Sequence, residues 1–74
     1  MKKTPKSLKT GTIMFASYEG SRATAIIIEN DKENRYCKIY AMNYDDKGNF
    51  TNEWTRAYNY EQMKNIIKQC HIIV

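Results

Sequence analysis

The residues in this 74-residue chain best suited to chemistry are few and poorly grouped. Cys70 and His71 stand side by side, and a thiol beside an imidazole is one way to make a nucleophile. Such a pair needs contact in space and a third group to orient the base. Neighbours at the end of a helix point in different directions, so His71 reads instead as a base complementing the helix C-terminus. Glu29, Asp31 and Glu33 alternate as in a calcium loop, but the glycine and distal glutamate of such loops are missing and Lys32 stands among them. Asp45-Asp46 is a turn opener rather than a carboxylate pair for acid–base work. The sequence has no glycine-rich phosphate loop and no Cys/His spacing of a zinc site. The expectation is a chain that is no enzyme and takes no metal or cofactor.

Binding chemistry is better represented. Between Arg35 and Tyr58, alternation along a strand puts Tyr36, Lys38, Tyr40, Met42 and Tyr44 on one face and Cys37, Ile39 and Ala41 on the other. In the following strand Trp54, Arg56 and Tyr58 share a face, against Glu53, Thr55 and Ala57. A one-residue slip exchanges the faces of a strand, so hairpin register decides whether the aromatic rows meet. One register sets Tyr40 beside Trp54 and Tyr36 beside Tyr58. That makes a platform with Lys38 and Arg56 for stacking bases, at the cost of opposing like charges. The other sets Trp54 and Tyr58 against Ile39 and Cys37 and leaves the tyrosines beside Glu53 and Thr55. The second is slightly favoured, because a small domain needs its only tryptophan for burial.

These residues need a scaffold, and the length allows one domain. A chain this short buries only about 60% of its unfolded surface. The net charge of +4 belongs to the N-terminus: Lys2, Lys3, Lys6 and Lys9 hold a third of the twelve bases, which leaves eight bases against eight acids from Gly11 onward. Residues 1–11 read as a flexible basic tail and 12–74 as the domain. The tail is either a solubilising end or a set of sequence-independent phosphate contacts. Cys37 and Cys70, without a secretory signal, read as reduced core thiols of a cytoplasmic protein. No stretch approaches the roughly 20 apolar residues of a membrane span.

From Thr12 to Tyr58 the pattern predicts four strands separated by turn signals: Thr12–Tyr18, Ala23–Glu29, Arg35–Tyr44 and Asn52–Tyr58. The run Ile26-Ile27-Ile28 predicts a central strand covered on both faces. Asp45-Asp46-Lys47-Gly48 closes the last hairpin, with Gly48 free to take a positive φ. Asn59 and Gln62 form a capping-box pair that opens a helix to about Cys70. Its stripe of Tyr60, Met63, Ile66, Ile67 and Cys70 faces the sheet, against Ile26, Ile28 or their neighbours. Ile72-Ile73-Val74 is either a fifth strand or an apolar end packed on the sheet. The expected class is α+β: a four-stranded antiparallel β-meander followed by one C-terminal α-helix.

The stretch Ile39 to Gln69, with its Asp45-Asp46-Lys47-Gly48 turn and the helix entry Asn59-Tyr60-Glu61-Gln62, resembles the end of the positive transcriptional coactivator family. That resemblance implies a dimer binding single-stranded DNA on a four-stranded sheet. The family's basic-plus-glycine element in the last strand is met here only by Arg56-Ala57. The same stretch is also similar to the arm-DNA-binding domains of tyrosine recombinases. Two expectations result. One is a single-stranded nucleic-acid binder, monomer or homodimer, using Tyr36, Lys38, Tyr40, Tyr44, Trp54 and Arg56, with tail contacts from the four lysines. The other is a protein-interaction module of a phage or mobile element that inhibits or adapts a host protein. It rests on small size, a neutral sheet and free strand edges.

Overall fold

The computed structural model describes residues 4–18 and 20–73. It has the expected α+β architecture: an antiparallel meander of β1 (Ile13–Tyr18), β2 (Ser21–Asp31), β3 (Tyr36–Asp45) and β4 (Phe50–Asn59), then α1 (Tyr60–Gln69) and a short β5 (His71–Ile73). The sheet order is β4-β3-β2-β1-β5, so the strands before and after the helix lie at opposite edges. Four strand spacings come to about 19 Å. A helix of ten residues is about 15 Å long. The chain therefore has to carry α1 across the strands, which covers one face of the sheet and leaves the other bare.

Local signals account for the elements. Asp45 Oδ1 accepts from the backbone N–H of both Lys47 at 2.9 Å and Asn49 at 2.8 Å, and Gly48 takes φ +87°. Asp31 closes the β2–β3 turn likewise, accepting from the Asn34 backbone N–H at 3.0 Å and from its side-chain amide at 2.9 Å. The capping box at α1 is complete: Gln62 N–H donates to Asn59 Oδ1 at 2.8 Å, and Asn59 N–H donates to Gln62 Oε1 at 3.0 Å.

Several expectations need correcting. Of the two endings considered for the apolar C-terminus, a strand is the one formed, with Ile72 opposite Met14 and His71 opposite Phe15. Val74 lies outside the described residues. His71 is therefore an exposed strand residue rather than a helix-end base. The helix stops at Gln69 with Cys70 as an extended C-cap, as the β-branched pair behind it joins β1. The tail is also shorter than expected. From Thr4 the chain is docked: Pro5–Ser7 form a 3-10 turn against α1, and Pro5 and Leu8 are buried while Lys6 and Lys9 stay exposed. Two apolar groups among the lysines help to hold the segment. Lys2 and Lys3 lie outside the described residues.

The core is Leu8, Met14, Ile27, Cys37, Ile39, Tyr60 and Met63, with Ile66, Ile67 and Cys70 packed around it. Both cysteines are free, Cys37 buried and Cys70 half-buried. β2 is central but covered on one face only. Ile27 alone of its isoleucines enters the core, Ile26 faces the bare side and Ile28 is 42% exposed.

The reason is a bulge. β2 pairs with β3 without interruption from Ser21 to Ile27, then resumes at Glu29↔Lys38, so Ile28 has no partner. The extra residue reverses the alternation beyond it. Asn30, otherwise on the face of Ile26, is turned to the helix side, where its amide donates to the carbonyls of Pro5 at 3.0 Å and Leu8 at 2.6 Å. Its oxygen accepts from the Tyr60 hydroxyl at 2.6 Å.

Two chemical-denaturation measurements check this core. Met63→Ala, at a fully buried site, is expected to lose about 2–5 kcal/mol. Asn30→Ala strips partners from two carbonyls and a hydroxyl, and is expected to lose about 1–3 kcal/mol.

Candidate binding faces of the sheet

The β3–β4 register is the second of the two considered: Cys37↔Tyr58, Ile39↔Arg56 and Ala41↔Trp54 on the helix side, Tyr40↔Thr55 and Met42↔Glu53 on the bare side. The expected set is thereby divided. Tyr36, Lys38, Tyr40 and Tyr44 stand on the bare face, and Trp54 and Arg56 stand with the helix. Packing decides this, since the row Met14, Ala25, Ala41, Trp54 crosses four strands on the covered side.

On the covered side the helix reaches only part of the sheet. Trp54 and Tyr58, both half-buried, meet edge to face with centroids 6.4 Å apart, and the Arg56 guanidinium lies 5.1 Å from the Trp54 ring centre. Between this wall and Ile66 and Cys70 is a hollow of about 160 Å³ over Ala23, Ala25 and Ala41. Burial pushes both thiol pKa values up, which favours the protonated thiol over the thiolate.

The bare face is apolar along its middle. Ile13, Ile26 and Tyr40 form one cross-strand row, and Phe15, Thr24 and Met42 the next. Phe50 packs its edge on Tyr44 at 6.1 Å and remains 55% exposed, with Phe15 at 38% and Ile13 at 36%. An open depression of about 790 Å³ lies by Phe15, Arg22, Thr24, Tyr44 and His71. Phe15, Ile13 and Phe50 were not singled out in the sequence. The alternation of Ile13 and Phe15 with Met14 and Ala16 marks two apolar sides to β1, and only one of them has a helix to cover it.

The charges on this face are mixed. The Tyr36 hydroxyl donates to Glu29 at 2.7 Å, and the Tyr40 hydroxyl donates to Glu53. Each bond holds its phenol protonated, so both pKa values lie above the usual tyrosine range, chiefly through the accepting carboxylate. Lys38 stands opposite Glu29, and Arg22 opposite Tyr44. Among the described residues no group of three or more His, Cys, Asp or Glu is placed to hold a metal ion, and no helix is long and apolar enough to cross a membrane.

No protein-family pattern matches the chain, and no curated protein or solved structure is significantly similar to it.

The two phenol–carboxylate bonds give a pH signature. A phenol pKa raised by folding stabilises the native state fully below the unfolded value of about 10 and ceases to do so as pH rises through the folded value. In an ultraviolet titration Tyr36 and Tyr40 are expected to ionise after the free phenol. Glu53→Gln should return Tyr40, and not Tyr36, towards the ordinary value.

Proposed function

We propose that this chain is a non-enzymatic binding module whose bare sheet face docks on an apolar protein surface. One observation carries this reading: the face holds a contiguous apolar centre of Ile13, Phe15, Ile26 and Met42, with Phe50 beside it, and among the described residues no element covers it. Exposed apolar surface of that extent on a small domain marks an interaction site. The rim suits a protein better than a phosphate chain. Lys38 and Arg22 are offset on the same face by Glu29 and Glu53, and those carboxylates hold the hydroxyls of Tyr36 and Tyr40.

A second reading keeps one specific support. Tyr36, Lys38, Tyr40 and Tyr44 follow one another along β3 on the open side, a spacing on which single-stranded bases stack. Trp54 and Arg56 do not contribute to it, and of the four lysines only Lys6 and Lys9 are described, both exposed at the 3-10 turn side.

The test uses three chains: wild type, Phe15→Glu and Tyr40→Ala. On the protein-docking reading, capture of a partner from cell lysate survives nuclease and is lost in Phe15→Glu, while a labelled oligothymidine does not bind. On the nucleic-acid reading, oligothymidine binds and Tyr40→Ala weakens it roughly tenfold, the loss of one stacked base. That result would overturn the first reading.

A further inference from the structure

The two edges of the sheet are unlike. The β5 edge is three residues long, short enough to offer little to another chain. The β4 edge is ten residues long and has no proline. It runs opposite β3 one residue for one from Asn52 to Asn59, with its single irregularity beside the turn. The usual protections of an edge are absent. Arg56 lies over Trp54 and Glu53 is held by Tyr40, so neither charge stands guard along the strand.

The backbone groups left free on this edge can be identified. Tyr60 N–H donates to the Arg35 carbonyl at 3.0 Å, which extends the β3–β4 register by one pair. Hydrogen-bonded and non-bonded pairs alternate in an antiparallel ladder. Tyr58, Arg56 and Trp54 therefore turn their backbone groups towards β3, and Glu53, Thr55 and Ala57 turn theirs outward.

We infer that the β4 edge joins a second copy of this chain, strand to strand, about a two-fold axis through Thr55. Self-complementarity selects this occupant and this register. With Thr55 opposite the partner's Thr55, Glu53 faces the partner's Ala57 and Trp54 faces the partner's Arg56. Each guanidinium, already 5.1 Å from its own indole centre, then lies between two indoles. Shifting the axis to Arg56 opposes two guanidinium groups. Shifting it to Trp54 removes each cation from the second indole and leaves it opposite Asn52. The Thr55-centred pairs on the helix side are of the non-bonded kind, with Cα atoms about 4.5 Å apart, close enough for the contact. The axis stands perpendicular to the sheet, so both helices lie on one side and the two bare faces join into a single ten-stranded surface. The interface is isologous and modest in area, which fits a reversible dimer.

Sedimentation equilibrium from micromolar to millimolar chain is expected to reach twice the 8.7 kDa of one chain. Thr55→Pro removes only an outward N–H, so it should keep the circular dichroism and melting of the wild type yet sediment as a single chain. A second measurement does not depend on that variant folding. In a Cys70→Ser background, a short bis-maleimide should cross-link Thr55→Cys into dimers. It should leave Thr51→Cys single, because the two copies of that position would be roughly 26 Å apart. Phe15→Glu should dimerise as the wild type does, so the edge and the bare face are tested separately. A wild-type chain that stays single at millimolar concentration, or a Thr55→Cys chain that fails to cross-link, would overturn the assignment.

Discussion

The side chain of Asn30, on the central strand, touches two other parts of the chain, the N-terminal segment and the start of α1. Its amide holds the carbonyls of Pro5 and Leu8, and its oxygen holds the hydroxyl of Tyr60, the first residue of α1. A half-buried amide can make four hydrogen bonds, and here three are made. The N-terminal segment, the central strand and the helix start are thus fixed to one another at a single point. The apolar core of Leu8, Ile27, Tyr60 and Met63 closes around that point. Arg35, at φ +59°, adds to it by placing its guanidinium 5.2 Å from the Tyr60 ring centre. In a domain with so few fully buried side chains, such a polar junction specifies which way the helix leaves the sheet.

Where information is local, the sequence was readable. Asn59 and Gln62 announce the helix start by chemistry contained in four residues, and Asp45 and Gly48 announce a turn in the same way. The register of the last hairpin was favoured only slightly in the sequence, by a packing argument about one tryptophan, and the pairing of β3 with β4 decides it. Three features were hidden because each depends on residues distant in sequence. Leu8 and Pro5 are surrounded by lysines, and only the three-dimensional position of α1 shows that they have somewhere to be buried. The isoleucine run promised two covered faces, but the described residues form a single α-helix with which to cover them. The bulge at Ile28 has no local marker such as glycine, and it is legible only through the partner strand.

For the candidate site, residue types were visible in advance and their grouping was not. Tyrosine, lysine, arginine and tryptophan stand at alternating positions in the sequence and can be read there one by one. Which of them share a face is set by the cross-strand row Met14, Ala25, Ala41, Trp54, a property of the whole sheet. The division leaves the phenols on the bare side, tethered to carboxylates, and the indole on the covered side beneath a guanidinium. The bare side thereby becomes apolar along its middle and close to neutral.

The unpaired Ile28 makes the β2 strand sensitive to counting. Substitutions there change one side chain on a half-open surface and leave the alternation of the strand as it was. Removing the position would close the bulge and leave Glu29 opposite Lys38 and Asn30 opposite Cys37 as they are now. Taking Ile28 into the ladder opposite Lys38 would instead exchange sides for everything up to the turn: Asn30 would leave its three partners for the bare face, and Glu29 and Asp31 would be driven towards the core. Sequences descended from a common ancestor of this fold should therefore drift freely in residue type at this position, and can lose it, while keeping Asn30 opposite Cys37. Pairing, not identity, is the heritable quantity at this point of the chain.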